Sequence, residues 1–176
     1  MTDTVQALEE FSWQLKPGGT LVMTYYTRPR IVNNAHAQSI WEEIFQGFVK
    51  RYTGPIFDRA YQTGGSALDS IAIPPTRWTA IKRIYINAYP STGSFRMGNW
   101  AAEDRVGSDE ERIWISDPDW CLEQGVNWLK KYLATWAPIF ESESQELWDE
   151  LERVADADKF WMEVPVVMVF ATKRAN

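Results

Sequence analysis

Cysteine and histidine are nearly missing from this chain: one of each, Cys121 and His36, in 176 residues. A lone cysteine excludes an intrachain disulfide framework and a cysteine-built zinc site, and it suits a reducing compartment. A lone histidine excludes multi-histidine metal centres. Positive charge is also scarce, with 18 Lys and Arg against 24 Asp and Glu and a formal charge of -6. Nucleic acid and anionic membrane both demand a basic surface, so neither is expected as a main partner. No apolar run reaches the roughly 18 residues of a membrane span. Met1 to Thr4 lack the basic-then-apolar pattern of a secretory signal, so the expected location is the cytoplasm. There is no internal repeat, low-complexity stretch or visible linker, and residues 1–176 are expected to form a single domain.

What the chain does have is aromatic mass: 10 Trp, 7 Tyr and 8 Phe. Large aromatics fill small cores and helix contacts; they also line ligand pockets and partner interfaces. Composition alone leaves both uses open.

The pattern along the chain is α/β. Val5, Leu8 and Leu15, with Ala7 and Phe11, recur at helical spacing over 4–15, with an expected cap at Asp3. Lys16-Pro17-Gly18-Gly19 ends that helix and delivers Thr20–Tyr26, whose near-continuous apolarity predicts a strand covered on both faces. The stripe Ile40, Trp41, Ile44, Phe45, Phe48, Val49 predicts a helix over 35–52, with a shorter one at 56–62. Ile81–Asn87 alternates, with Arg83 and Tyr85 on one side and Ile84 and Ile86 on the other. Residues 89–109 read as a long surface loop, and Glu111–Ile115 as a short strand. Asp117-Pro118 predicts a helix start, with Leu122, Val126, Leu129, Leu133 and Trp136 on its buried face, Lys130 and Lys131 in solvent, and Pro138 as its stop. A capping box at Ser142 and Gln145 opens a further helix carrying Leu147, Trp148 and Leu151, and Val164–Ala171 is the last strand.

Three segments in this order carry a family likeness: Trp13-Gln-Leu-Lys-Pro-Gly-Gly-Thr-Leu21, Tyr26-x-x-Pro29, and Val126-Asn-Trp-Leu-Lys-Lys-Tyr-Leu-Ala-Thr-Trp136. Together they resemble the C-terminal half of a class I S-adenosylmethionine-dependent methyltransferase, in its trans-aconitate-methyltransferase-like, fungal-type branch. The resemblance implies part of a Rossmann-like sheet of three strands, with 164–171 antiparallel between 20–26 and 81–87, helices on both faces, and a substrate-cap-like insertion over 27–80. It implies S-adenosyl-L-methionine as cofactor and a small-molecule acceptor such as an organic acid. The family holds that cofactor on a Gly-rich turn after its first strand and an acidic residue after its second. Neither motif is found here: Gly18-Gly19 follow a helix, and Gly64-Gly65 do not follow a strand. The expectation is therefore a half that is inactive alone, whose strand 20–26 would be an unpaired edge needing a second copy, a partner or the missing half. A non-enzymatic, partner-binding remnant is the alternative reading, and an unrelated α/β binding domain a third.

Methyl transfer from a sulfonium depends mainly on positioning, so the residues nominate no catalytic dyad. Tyr25, Tyr26, Arg28 and Arg30 follow the carboxyl end of a strand, where open α/β sheets bind ligands; by resemblance this is the substrate-binding cap. Either arginine could clamp a carboxylate, or both could be solvated. His36 reads as a helix-surface residue and Cys121, in an expected first helical turn, as a small half-buried one. The runs Glu103-Asp104, Asp109–Glu111 and Glu141–Glu143 read as solvated faces, with no metal site expected.

Overall fold

The computed structural model describes residues 4–89, 91–98, 100, 103–136, 144–155 and 159–175. They fall in two compact units: residues 1–27, 59–116 and 165–176 in one, 28–58 and 117–164 in the other. The expected caps and stop at Asp3, Ser142 and Pro138, and the run Glu141–Glu143, lie outside the described residues. No described helix is long and apolar enough to cross a membrane.

The first unit is built on a mixed four-stranded sheet. Its strands are β1 (Thr20–Tyr26), β3 (Trp78–Ile86), β4 (Glu111–Ile115) and β7 (Val166–Lys173), in the order β1-β7-β3-β4. β7 runs antiparallel to both β1 and β3, as expected, while β3 and β4 are parallel. The sheet thus has four strands rather than three, because Glu111–Ile115 extends it beyond β3. Register sets Tyr25, Val167, Tyr85 and Trp114 in one row across all four strands. On that face Val167, Val169, Ala171 and Tyr85 are buried, in a core shared with Leu8 of α1 (Thr4–Gln14) and with Ala67, Ile71 and Phe95. Val5 and Phe11, expected on the buried stripe of α1, are exposed; Leu8 and Ser12 are its buried residues. Gly18, at φ +78°, reverses the chain between α1 and β1, a left-handed backbone that costs glycine nothing.

β1 departs from expectation. Its residues alternate exposed and half-buried, with Val22 49% and Tyr26 51% exposed. Continuous apolarity predicts two covered faces only for a strand inside a sheet, and β1 has β7 as its sole neighbour among the described strands. The segment 89–109 also holds more than surface loop: a 3-10 turn at Thr92–Phe95 buries Phe95, and Met97 after it is buried as well.

In the second unit, α2 (Ala35–Arg51) starts where the Asn34 side chain accepts from the Ala37 N–H at 3.0 Å. Its stripe buries Trp41, Ile44, Phe45 and Phe48, and Trp41 meets Trp148 of α5 (Gln145–Val154) at 6.0 Å between ring centroids. The helix expected from Asp117 is three elements instead. Asp117 caps only a 3-10 turn at Pro118–Trp120, then β5 (Cys121–Gln124) pairs with β6 (Phe160–Glu163), and α4 (Val126–Ala134) begins after Gly125. An Asx cap with Pro specifies one turn and no more, and pairing with β6 diverts the chain before a second forms. Cys121 therefore opens a strand, and burial pushes its thiol up, away from thiolate character. β6 also pairs with the two-residue β2 (Arg30–Ile31), giving a second sheet in the order β2-β6-β5.

Leu133 is buried and Trp136 half-buried, edge-on to Phe45 and Phe48 at 6.2 and 6.0 Å. Lys131 is exposed as expected, but Lys130 is not: its ammonium lies 5.7 Å from the Trp148 ring centroid and 3.0 Å from Glu152. A long aliphatic stem lets Lys130 cover apolar surface while its charge finds both partners.

Candidate functional site at the end of strand β1

Tyr25 and Tyr26 end β1 and point to opposite faces, as successive strand residues must. Tyr25 turns to the core side, 6.3 Å from Phe95 between ring centroids, with its hydroxyl 3.8 Å from Met97 Sδ. Its phenol lies directly on Gly64 in the last turn of α3 (Pro55–Gly65), and a Cβ there would stand 2.6 Å from the hydroxyl oxygen. Only a residue without a side chain lets the helix backbone come this close. Tyr26 is on the open face. Thr27 is fully buried; its N–H donates to Pro165 O at 3.1 Å, and its Oγ1 has no hydrogen-bond partner among the described residues. A buried hydroxyl left so costs about 1–3 kcal/mol, a cost that tends to persist only where something else uses the group.

Arg28 and Arg30 belong to the second unit. The Arg28 guanidinium is mostly buried, 4.8 Å over the Phe45 ring, with Glu42 at 3.9 Å. Arg30 donates to Glu163 at 2.7 Å across the β2–β6 pair. His36 is exposed on α2, 3.6 Å from Glu150.

A further cluster in the first unit is not among the sequence-based expectations. Arg83 on β3 is fully buried and donates from Nε to Glu110 at 2.6 Å, and from its two terminal nitrogens to Leu68 O and Ile71 O at 2.9 and 2.8 Å. Glu110, expected in a solvated run, is buried with it. Asp69 lies 3.5 Å from Arg83 and accepts from the Tyr85 hydroxyl at 2.6 Å. Burial raises the Asp69 carboxyl above its usual range, and burial together with that hydrogen bond raises the Tyr85 phenol. Ala67 and Leu68, consecutive non-glycine residues at φ +53° and +63°, sit in the turn that Arg83 ties down. The one available signal was Arg83 sharing a strand face with Tyr85; its partners are too distant in sequence to be read from spacing.

Neither glycine pair is free to form the cofactor cradle that the resemblance calls for. Gly18 N–H donates to Lys173 O and Gly19 N–H to Lys16 O, while Gly64 is covered by Tyr25. The described residues therefore do not fit S-adenosylmethionine in the family's manner. Nor do any three His, Cys, Asp or Glu among them converge as metal ligands.

No family model matches the chain, and no solved structure does. Two curated fungal proteins are similar along nearly all of it. "Methyltransferase cfoB" of Aspergillus candidus is 28% identical over 98% of this chain and 60% of its own length. "Methyltransferase ptaI" of Pestalotiopsis fici is 29% identical over 99% of this chain and 58% of its own. The chain spans about three fifths of the length of these relatives, and the likeness supports a methyltransferase family for this α/β protein.

Proposed function

We propose that this chain is the acceptor-side portion of an S-adenosylmethionine-dependent methyltransferase of the trans-aconitate-methyltransferase-like branch, acting in the cytoplasm on a small molecule such as an organic acid. The observation that carries the proposal is the likeness to two methyltransferases along nearly the whole chain. Both relatives carry sequence without a counterpart here, and the proposal assigns the cofactor to that share. The acceptor is taken at the carboxyl end of β1, where Tyr25 is fixed by Gly64 and Phe95 and the Thr27 hydroxyl is unspent. Tyr26 on β1, and in the second unit Arg28 and Arg30, are the further substrate-binding residues that the family resemblance implies, either arginine serving to hold a carboxylate. Holding the acceptor in line is the main contribution these residues would make to methyl transfer.

Titration calorimetry of the 176-residue chain with S-adenosylmethionine is the first test. Without a cradle the affinity falls on the order of 10²–10⁴-fold, from three or four lost hydrogen bonds at about 1–1.5 kcal/mol each and about 1.4 kcal/mol per decade; saturable micromolar binding would overturn the assignment. The second test joins the chain to the part of a relative that has no counterpart here and assays labelled methyl transfer to small carboxylic acids. Tyr25→Ala is expected to cut turnover at least about tenfold, with cofactor affinity unchanged.

One observation favours the alternative of a partner-binding domain: Val22 and Tyr26 lie exposed on a strand whose outer edge no described strand covers. Concentration-dependent dimerisation in sedimentation, with no transfer by the joined protein, would select it.

A further inference from the structure

The first unit contains a cavity of about 210 Å3 whose lining includes Asp69, Ser91, Thr92, Asp104, Arg112 and Trp114. We infer that it is a binding site for a small organic cation, a primary ammonium carried on a short apolar stem, with Asp69 as its counter-ion and Trp114 as its wall. The inference is independent of the methyltransferase reading.

Charge gives the sign of the ligand. Arg112 is already committed, donating to both oxygens of Asp104 at 2.6 and 2.7 Å. Arg105 is paired with Glu103 at 2.7 Å. Arg83 is paired most closely with Glu110, at 2.6 Å, with Asp69 farther off at 3.5 Å. Four carboxylates thus face three guanidiniums, and the acid in excess is Asp69.

Asp69 is also where the hydrogen bonding is incomplete. It is only 6% exposed, yet the Tyr85 hydroxyl and the Arg83 guanidinium both approach the same oxygen, Oδ1. Among the described residues nothing donates to Oδ2, although Asp69 lines the cavity. That oxygen is open to the cavity rather than sealed in the core, and a charged N–H is the donor a carboxylate holds most strongly. The turn carrying Asp69 is not free to relax, because Arg83 grips it at Leu68 O and Ile71 O.

Aromatic and hydroxyl groups complete the match. Trp114 stacks on Tyr85 at 4.2 Å, 16° from parallel, which fixes the indole that walls the cavity. A fixed indole attracts a cation electrostatically and shields an alkyl stem from water. Ser91 and Thr92 supply hydroxyl acceptors for the remaining ammonium protons.

The probe is n-butylammonium chloride, with n-butanol and sodium butyrate as controls, read by the NMR shift of the Trp114 indole N–H in the 176-residue chain. Saturable binding of the ammonium alone is expected. Asp69→Asn, which keeps an acceptor for Tyr85 and removes the charge, should weaken it about tenfold or more. In the wild-type protein the affinity should fall with pH as Asp69 protonates; its neighbours are Tyr85 and Arg83 on β3, Arg112 on β4, and Asp104. The alkylammonium stays charged throughout that range. If Asp69→Asn does not fold, the wild-type pH series decides. Absence of ammonium binding, equal binding of butanol or butyrate, full affinity in Asp69→Asn, or an affinity unchanged by pH would each overturn the inference.

Discussion

The phenol of Tyr25 rests on the bare Cα of Gly64, leaving 2.6 Å where a methyl group would have to fit. Tyr25 is on β1 and Gly64 at the end of α3, so this contact fixes a helix end and a strand end together. Gly64→Ala should therefore destabilise the chain by about 1–3 kcal/mol, the usual cost of overpacking. Gly64→Ala with Tyr25→Phe should give no relief, since the ring carbon Cζ is itself 2.7 Å away. Gly64→Ala with Tyr25→Ala should recover most of the loss. A urea-unfolding double-mutant cycle measures the coupling; additive effects would show that the contact is not what limits the site.

Arg83 should be costly to remove from the first unit. Arg83→Met leaves Glu110 buried without its cation and frees the carbonyls of Leu68 and Ile71. A loss of about 3–5 kcal/mol is expected, the scale for breaking a buried pair from one side. Equilibrium unfolding checks it, and a loss below about 1 kcal/mol would place Arg83 among surface-like pairs instead.

Asp69 predicts a pH dependence of definite sign. Its folded-state pKa lies above 3.8 because burial disfavours the carboxylate. The folded state thus holds the proton more tightly than the unfolded state, and stability falls as pH rises from about 3.8 through the folded-state value. Above that window the cost is fully present. The stability of the wild-type chain relative to Asp69→Asn should therefore decline across this window and then level off. A difference that grows with pH would mean that Arg83 outweighs burial.

Lys130 and Lys131 are neighbours with different surroundings. Lys130→Ala loses the Trp148 and Glu152 contacts and should cost about 0.5–1 kcal/mol. Lys131→Ala, on the exposed side of α4, should change stability by less than about 0.5 kcal/mol. Thermal melts of the two variants separate them.

Several of these features were legible from sequence and others were not, for identifiable reasons. The central antiparallel place of β7 was legible because Val166–Val169 are apolar on both faces and the family likeness supplied the order. α2 was legible because its apolar stripe persists through 17 residues. The four-residue strands β5 and β6 were not, since so short a segment shows no period, and their pairing joins residues about 36–42 apart in sequence. Asp117-Pro118 does open a turn, but the long helix that it predicts gives way to β5 after three residues. In the candidate site, strand ends pointed to Tyr25 and Tyr26, but nothing local announced that Gly64 lies under one of them. Glu110 looked like any member of an acidic run until the fold brought Arg83 to it. Pairing of charges at a distance is set by topology, which spacing along the chain does not encode.

The alternation of β1 reaches its backbone as well as its side chains. Thr27 N–H donates to Pro165 O, and Gly19 O accepts from Lys173 N–H, so the odd-numbered residues of this stretch face β7. An antiparallel strand turns its peptide groups alternately left and right, so those of Thr20, Val22, Thr24 and Tyr26 face outward, where no described strand meets them. In deuterated water the strand should therefore exchange with a two-residue rhythm: the amides of Leu21, Met23 and Tyr25 slow, those of their even-numbered neighbours fast. Any second polypeptide that continued the sheet would abolish the rhythm by slowing the even set alone.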